Sequence, residues 1–378
     1  MSRKLFLVST ALTFAGSAAF AGGLERSVLS FAPLFAEGRY LEFSALFVNP
    51  NLSGTDGLVP PAFGGPIPLT GSTGDLLQSY AQFGAAYKAD INDQLSYAVF
   101  LNEPYGADTL YPTAIAGLPD PTAVYNGSAA DVDSYALTAV LAYDVNDNVT
   151  VYGGPVVQSI TPFASILFPG IGYTVEADTD IGVGYTFGAA YQIPEIALRV
   201  GLTYRSEIEH NLDTVETSTP LGGPNNTQTS FETPDSLTLD FQTGIAEDTL
   251  LFGQINWVDW SEFAISPPNY IGITGGRPLV SYASDWTSYT LGVGRRFTDE
   301  WSGAVSVLWE PQQDIELTSL GPIDGRLGFN IGATYETETM KISGGINYTQ
   351  LGNASNVLGT DFDDGDAIGF GFRVGFKL

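Results

Sequence analysis

The side chains best suited to ligand chemistry in this 378-residue chain are a few cations. Alternating segments place basic side chains on the same face as small and polar residues, and we expect that face to line an interior. A guanidinium binds a carboxylate in a bidentate way, so we predict that Arg296, Arg326 and Arg373 together bind a substrate carboxylate. The alternative is that such arginines pair with acids of the same face and only hold the wall, for example with Glu207, Asp240 and Glu310.

Material for enzymatic catalysis is scarce. Ser–His catalysis needs a base, and the one histidine, His210, opens a predicted loop at 209–234, where an isolated histidine is usually a surface residue. The absence of cysteine excludes disulfides and thiolate metal sites. The acidic run 361–366 lacks the spacing of an EF-hand and is more typical of a solvated loop. We therefore predict no catalytic residues, no metal site and no cofactor.

The first 21 residues read as a secretory signal peptide. Arg3 and Lys4 precede a short apolar run, and Ala19-Phe20-Ala21 is a small-x-small cleavage site. Removing that segment leaves 12 basic against 42 acidic residues, a net charge of −30. Such a charge argues against nucleic acid as a partner, because nucleic acid binding needs a basic patch. No later stretch approaches the ~20 consecutive apolar residues of a membrane helix.

The elements that must position these side chains are strands. Apolar residues alternate with small or polar ones in segments of about ten residues, which indicates half-buried strands. Fourteen such segments occur: 40–48, 76–88, 95–106, 133–145, 148–160, 181–193, 196–208, 235–246, 249–260, 286–297, 301–310, 326–337, 340–349 and 367–378.

The connections alternate between six short turns and seven long loops, with both chain ends on the short-turn side. This arrangement is typical of outer-membrane barrels. The long ones are predicted at 49–75, 107–132, 161–180, 209–234, 261–285, 311–325 and 350–366.

The two faces of the strands identify the solvent. The apolar face carries aromatic residues near strand ends, as at Tyr135, Trp286, Trp301 and Trp309, which suits the two membrane interfaces. Closure is required because an open sheet edge in lipid leaves costly unpaired backbone groups. We predict an all-β, 14-stranded antiparallel transmembrane β-barrel over 40–378. Residues 22–39 are expected to form a short N-terminal luminal arm or plug.

Several motifs resemble the FadL-type outer-membrane transporters of long-chain fatty acids and hydrocarbons. They are "LNEPYG" (101–106), "YRSEIEHNL" (204–212), "ETPDSLTLDF" (232–241), "INWVDWSEF" (255–263) and "YTLGVGRRFTDEWSGAVSVLWE" (289–310). The resemblance implies a monomeric barrel, an N-terminal hatch, apolar capture loops and a kinked third strand that opens sideways into the bilayer. The chain departs from the family at the hatch, since only residues 22–39 precede the first strand and "VNPN" (48–51) follows it.

Two predicted loops are unusually apolar for exposed segments, and an exposed apolar patch usually marks a binding site or an interface. We predict that they capture a hydrophobic substrate; the alternative is that the loops only fold over one another and cap the barrel. Their candidate capture residues are Leu110, Tyr111, Ile115, Phe163, Ile166, Leu167 and Phe168.

Asn102, Pro104 and Gly106 lie where the third strand should end. Proline lacks a ladder donor, so it is confined to strand edges and bulges. The resemblance implies a lateral gate at this kink, and the alternative is an ordinary strand exit.

Together these features predict passive outer-membrane uptake of hydrophobic small molecules, either long-chain fatty acids or related hydrocarbons. Substrate would be captured by loops, bound in the lumen and released sideways. The other expected partners are outer-membrane lipid, lipopolysaccharide and the barrel-assembly machinery. The alternative function is a diffusion porin for small polar solutes.

Overall fold

The computed structural model describes residues 23–55, 58–59, 67–68, 72–113, 125–167, 172–313, 315–356 and 359–378. Within these ranges the chain forms a closed antiparallel barrel of fourteen strands, which confirms the predicted fold. Three strands are divided into consecutive segments a and b. The strands are β1 Tyr40–Thr55, β2 Tyr80–Asp90, β3a Leu95–Asn102, β3b Gly106–Leu110, β4 Ala129–Asn146, β5 Val149–Ile166, β6 Asp180–Ile193, β7a Leu198–Arg205, β7b Ile208–Ser218, β8a Gly222–Thr233, β8b Ser236–Ala246, β9 Thr249–Val258, β10 Trp286–Arg296, β11 Trp301–Glu310, β12 Arg326–Glu336, β13 Met340–Leu351 and β14 Asp361–Lys377.

Smaller elements decorate the long-loop end, which we call the external end. Helix α1 spans Pro268–Thr274, and no helix among the described residues is long and apolar enough to cross a membrane. Single 3-10 turns lie away from that end, at Ala32–Phe35 before β1 and at Pro194–Ile196 in the short turn between β6 and β7a. The short strands are Leu58–Val59 with Ile67–Pro68, Ala264–Ile265 with Val280–Ser281, Glu316–Leu317 with Ala354–Asn356, and Tyr173–Ala177 beside β5 and β7b.

The last strand closes the barrel. β14 pairs with β13 on one side and with β1 on the other, where Phe372 lies opposite Ala45 and Arg373 opposite Ser44. Large apolar side chains such as Ile181, Val183 and Phe370 are more than half exposed. Because so much apolar surface faces outward along every strand, the outer face of the wall is suited to lipid rather than water.

One residue assigned to the aromatic belt was predicted wrongly. Trp286 is buried and lies 5.6 Å from the ring of Tyr282, whereas Tyr135, Trp301 and Trp309 are exposed as expected. Trp286 has the same parity along β10 as the inward-facing Ser288, so its ring points into the barrel. Position near a strand end does not decide the face; parity does.

Two segments predicted as long loops are largely strands. β7b and β8a form a hairpin joined by only residues 219–221, and β5 runs to Ile166 with a further short strand at Tyr173–Ala177. Many inward positions of the 208–233 hairpin carry Thr, His or Glu rather than apolar residues. Apolar alternation is therefore interrupted, although the Thr-rich sequence suits extended backbone.

Residues 23–39, here called the arm, run through the barrel interior. Phe31 lies 5.2 Å from the rings of both Phe100 and Tyr152, and the guanidinium of Arg199 covers the ring of Phe35 at 4.5 Å. Nζ of Lys88 donates to the carbonyl oxygen of Ala36 at 2.7 Å, so the arm also contacts the wall at the short-turn end.

Candidate functional site

The third strand is broken at residues 103–105. On the short-turn side the β2–β3 ladder joins residues 85–90 to β3a, and on the external side it is resumed by a single bridge between Leu77 and Thr109. Between these points the N–H of Phe83 donates to the Glu103 carboxylate at 3.1 Å. A side chain thus replaces regular strand pairing at this place in the wall.

The arm supplies part of the missing pairing. The carbonyl oxygen of Pro104 accepts hydrogen bonds from the N–H groups of Arg26 at 2.7 Å and Ser27 at 3.2 Å, and the N–H of Gly106 donates to the oxygen of Leu24 at 2.9 Å. Residues 24–27, which we call the neck segment, therefore satisfy backbone groups that would otherwise be orphaned inside the membrane. The break and the arm form one structural unit.

The structure brings the three predicted gate residues together at this unit. Nδ2 of Asn102 donates to Oγ of Ser27 at 3.1 Å, and Ser27 Oγ donates to the carbonyl oxygen of Glu103 at 2.5 Å. A Cβ placed on Gly106 would lie 2.6 Å from Cδ of Arg26 and closer still to Cζ and Nε. Glycine at position 106 thus makes room for an arm side chain, a reason that the sequence alone did not reveal.

A cavity of about 140 Å³ opens at the break. Its lining combines the interior residues Ser27, Val28 and Arg373 with residues of the lipid-facing surface. These outer lining residues are Phe83, Leu101 and Phe372, all of them exposed. The cavity therefore borders both interior and lipid-facing residues of the wall, and we call it the wall opening.

A second cavity, of about 50 Å³, lies on the external side of the neck segment. It is lined mostly by apolar residues together with Thr214, Thr229 and Thr318, and no charged residue is among its lining within the described part of the chain. We call it the external pocket. Its apolar lining includes Leu24, Val132, Phe163, Leu212, Val280, Tyr282 and Leu320.

The predicted capture residues lie in different surroundings: in the external pocket, in the buried apolar cluster or on the surface. Phe163 lines the external pocket, while Ile166 and Tyr111 are buried in the surrounding apolar cluster. The Tyr111 ring stacks on Tyr125 at 4.4 Å, and its hydroxyl donates to the Ser319 carbonyl oxygen at 2.6 Å. The remaining described pair, Leu110 and Leu167, is exposed, and Ile115 and Phe168 lie outside the described residues.

Residues 259–285 form a major part of the pocket that was not predicted. Their buried aromatic rings pack edge to face, with Trp260 5.1 Å from Phe263 and 5.0 Å from Tyr282, and Ile265 and Leu279 line the pocket itself. The apolar run "FAISPPNYIGI" (263–273) was the available signal. It has no strand period, so apolar alternation does not identify it.

The three predicted carboxylate-binding arginines lie apart, each beside a different acid. Nε of Arg296 donates to Asp248 at 2.9 Å near a short turn, an Arg326 guanidinium nitrogen lies 3.6 Å from Glu310, and Nε of Arg373 lies 3.1 Å from Glu42. Of the three, Arg373 lines the wall opening. The Arg326–Glu310 pair joins directly opposed residues of β12 and β11.

A carboxyl group on the arm lies near that pair. Both oxygens of Glu25 accept hydrogen bonds from Nδ2 of Asn256, at 3.2 and 3.3 Å. The pKa of Glu25 is raised to about 7, mainly by burial; the nearby Arg326 opposes this rise and Glu310 adds to it. The docked arm therefore favours the neutral carboxyl form up to about neutral pH.

His210 is not a surface residue as predicted. It lies on β7b, fully buried, with Nδ1 2.8 Å from Oδ2 of Asp180. Its Nε2 has no hydrogen-bond partner among the described residues. No hydroxyl group is seen in contact with this nitrogen in the described part of the chain, so the geometry does not assemble a Ser–His pair.

Comparison with known proteins agrees with the barrel fold. The sequence profile of the family described as "Outer membrane protein transport protein (OMPP1/FadL/TodX)" matches residues 173–374. The chain belongs to this family. Its location is accordingly the outer membrane, and the resemblance stated from the sequence is confirmed. No curated protein matches the chain in sequence.

Solved structures of this family superpose on the whole barrel. A FadL homologue of Pseudomonas aeruginosa gives a TM-score of 0.71 at 14% identity over 91% of each chain. The toluene transporter TodX of Pseudomonas putida gives 0.65 at 11% identity over 96% of this chain and 98% of that one. The toluene transporter TbuX of Ralstonia pickettii gives 0.62 at 11% identity, covering 92% and 91%. At such low identity these likenesses show the fold alone.

Proposed function

We propose that this family member provides a passive route for hydrophobic small molecules from the external pocket, past the neck segment, to the wall opening and into the bilayer. One observation carries the proposal: the two cavities lie on opposite sides of the same four residues. Leu24 lines the external pocket, and Ser27 lines the wall opening.

The chemistry of the two cavities supports this direction of transfer. An apolar molecule gains about 25 cal/mol for each Å² of its surface that leaves water for an apolar pocket. The wall opening ends among Phe83, Leu101 and Phe372, so the molecule is released where lipid chains begin. No step needs an energy source, because water, pocket and bilayer form a sequence of increasingly favourable surroundings for an apolar solute.

The occupied lumen argues against the porin alternative. The arm fills the barrel interior beside Phe100, Tyr152 and Lys88, and the family match does not favour a porin. We expect low ion conductance from the full chain in a planar bilayer. A large, permanently open pore would contradict the proposed role of the arm.

Two substrate classes fit the proposed route: a hydrophobic carboxylate and an uncharged hydrocarbon. Two of the superposed structures are toluene transporters by name, which supports a hydrophobic cargo in general. A fatty acid would need one of the predicted arginines, and Arg373 is the one that lines the wall opening. Alanine at Arg296, Arg326 and Arg373 together tests that role, and unchanged affinity for oleate would contradict it.

The external pocket is tested by filling it. Ala130 is buried, lines the pocket and lies on β4. We expect Ala130→Trp to reduce protein-dependent uptake of radiolabelled toluene or oleate by liposomes at least tenfold. Ala139→Trp, at a position of opposite parity on the same strand, is the matched control and should retain uptake.

Circular dichroism and thermal unfolding of both variants verify that the barrel is folded. Full uptake by a folded Ala130→Trp variant would contradict the proposal. Loss of uptake in the Ala139→Trp control alone would do the same, because the lipid-facing side of β4 has no role in the proposed route.

A further inference from the structure

An ion pair with a buried cation lies at the neck segment, which separates the external pocket from the wall opening. The guanidinium of Arg26, on the neck segment, pairs with the carboxylate of Asp108 on β3b and covers the ring of Tyr80 at 4.3 Å. The Arg26 side chain is 4% exposed, and its Nε has no hydrogen-bond partner among the described residues. A substrate that passes the neck segment must pass this pair.

The acids around the pair outnumber the cation. Asp131 lies directly opposite Asp108, and Asp133 lies opposite Gly106 on the adjoining strand β4. Glu103, the first residue of the break, lines the wall opening. The neck region of the wall therefore presents carboxylates around one guanidinium that is already paired.

The next cation on the route is compensated as well. Arg373 lines the wall opening, but Glu42, which lies on the neighbouring strand, is 3.1 Å from its Nε and also lines that cavity. The external pocket has no charged lining residue in the described part of the chain. A carboxylate on this route would lose its hydration without meeting a cation that lacks an acid partner, and such a transfer is strongly unfavourable.

We propose that the Arg26–Asp108 pair is the selectivity element of the route, and that it favours uncharged hydrophobic molecules over carboxylates. This inference rests on the proposed function and selects between its two substrate classes. Asp108 is tethered to the wall, so an entering carboxylate competes for Arg26 against a partner of high local concentration. An uncharged molecule has no such competition and loses no charge hydration.

The inference is tested with two solutes of similar size and different charge. Liposomes containing the full chain take up radiolabelled benzyl alcohol or benzoate, and uptake by empty liposomes is subtracted. We expect the wild-type protein to favour the alcohol at least tenfold. Asp108→Asn leaves Arg26 without its paired charge, and we expect it to lower this preference at least fivefold.

The control removes the same charge from the opposite residue. Asp131→Asn leaves the Arg26–Asp108 pair intact, so we expect a smaller change in preference than for Asp108→Asn. A second variant, Arg26→Gln, alters the arm rather than a wall strand and is expected to increase the preference for the alcohol. It provides an independent test if Asp108→Asn does not fold.

The outcomes separate the two proposals. No protein-dependent uptake of either solute would contradict the proposed function itself. Equal wild-type uptake of both solutes would leave the function standing and overturn the selectivity role. An unchanged preference in Asp108→Asn, or an equal change in Asp131→Asn, would also overturn that role.

Discussion

The close approach of Arg26 to Gly106 makes Gly106→Ala a sharp test of arm docking. A Cβ at position 106 would lie 2.6 Å from Cδ of Arg26, whereas carbon atoms pack best at about 3.5–4.0 Å. The Arg26 side chain must therefore move by roughly 1 Å or leave the site. Movement of that size separates the guanidinium from Asp108 and loosens the neck segment from Pro104.

The expected cost follows from overpacking. An added methyl group in a well-packed site destabilises it by about 1–3 kcal/mol, which corresponds to about a 5- to 150-fold change in an equilibrium constant. Here the affected equilibrium is between the docked and undocked arm. The barrel itself should stay folded, because Gly106 adjoins the break in β3 rather than a continuous ladder.

The assay uses the absence of cysteine from the chain. Val28→Cys introduces one thiol on the arm at a position that lines the wall opening, and its labelling rate with a maleimide reports the undocked population. We expect Gly106→Ala to raise this rate about 5- to 150-fold. Gly344→Ala is the matched control, since the nearest atom to its Cβ would be 4.0 Å away.

The decisive test is to introduce Gly106→Ala into an Arg26→Ala variant. Arg26→Ala removes the side chain that the new Cβ would meet, so Gly106→Ala should have little further effect in that background. Equal labelling rates in Gly106→Ala and Gly344→Ala would refute the reasoning. A Gly106→Ala effect that is just as large without the Arg26 side chain would show that the strain lies elsewhere.

Three further predictions follow from the arm and the wall. Because the pKa of Glu25 is about 7 in the docked arm and 4.5 in the free arm, docking should be strongest below pH 4.5, weaken as the pH rises to about 7 and then stay constant. The Val28→Cys labelling rate should rise by on the order of 100-fold over that pH range. A pH-independent labelling rate, or an unchanged pH profile in Glu25→Gln, would contradict the role of Glu25. Phe31→Ala removes a ring packed between Phe100 and Tyr152 and should weaken arm docking by about 3–5 kcal/mol. Hydrogen exchange of the Leu34 and Ala36 amides should then be faster, whereas the control Phe83→Ala, at a lipid-facing position, should leave that exchange unchanged. Arg326→Met removes the cation beside the buried Glu310 and should lower the free energy of unfolding of the barrel in denaturant by about 3–5 kcal/mol. The double variant with Glu310→Gln should recover part of this loss. Additive losses would contradict a stabilising interaction between Arg326 and Glu310.

The barrel was predictable because its signal is local. Strand period, strand number and the inward or outward parity of each residue depend on neighbours two positions apart, and Ile181, Val183 and Phe370 obey that rule. The 208–233 hairpin was missed where Thr, His and Glu occupy inward positions, since they satisfy hydrogen bonds inside the barrel instead of contributing apolar alternation.

The site was less predictable because its contacts join distant parts of the chain. Arg326 and Glu310 are opposed on adjacent strands, so their pairing was within reach of a register argument. Arg26 and Asp108 are separated by 82 positions, and Arg26 lies in an arm without any strand period. The close packing at Gly106 likewise depends on a side chain 80 positions away, whereas the family resemblance implied only that Gly106 belongs to a kink in the third strand.

The arm explains how a membrane wall can tolerate a break in one of its strands. Unpaired backbone groups at residues 103–105 would be costly in lipid, yet the neck segment satisfies the Pro104 carbonyl and the Gly106 N–H without adding a strand to the barrel. These are few bonds, and the Arg26–Asp108 pair is added to them. On the proposed route, the neck segment leaves and returns while the ladders of β1, β2 and β4 stay intact. Because the neck segment, and not a barrel strand, separates the external pocket from the wall opening, the proposed route joins the two cavities without distortion of the barrel itself.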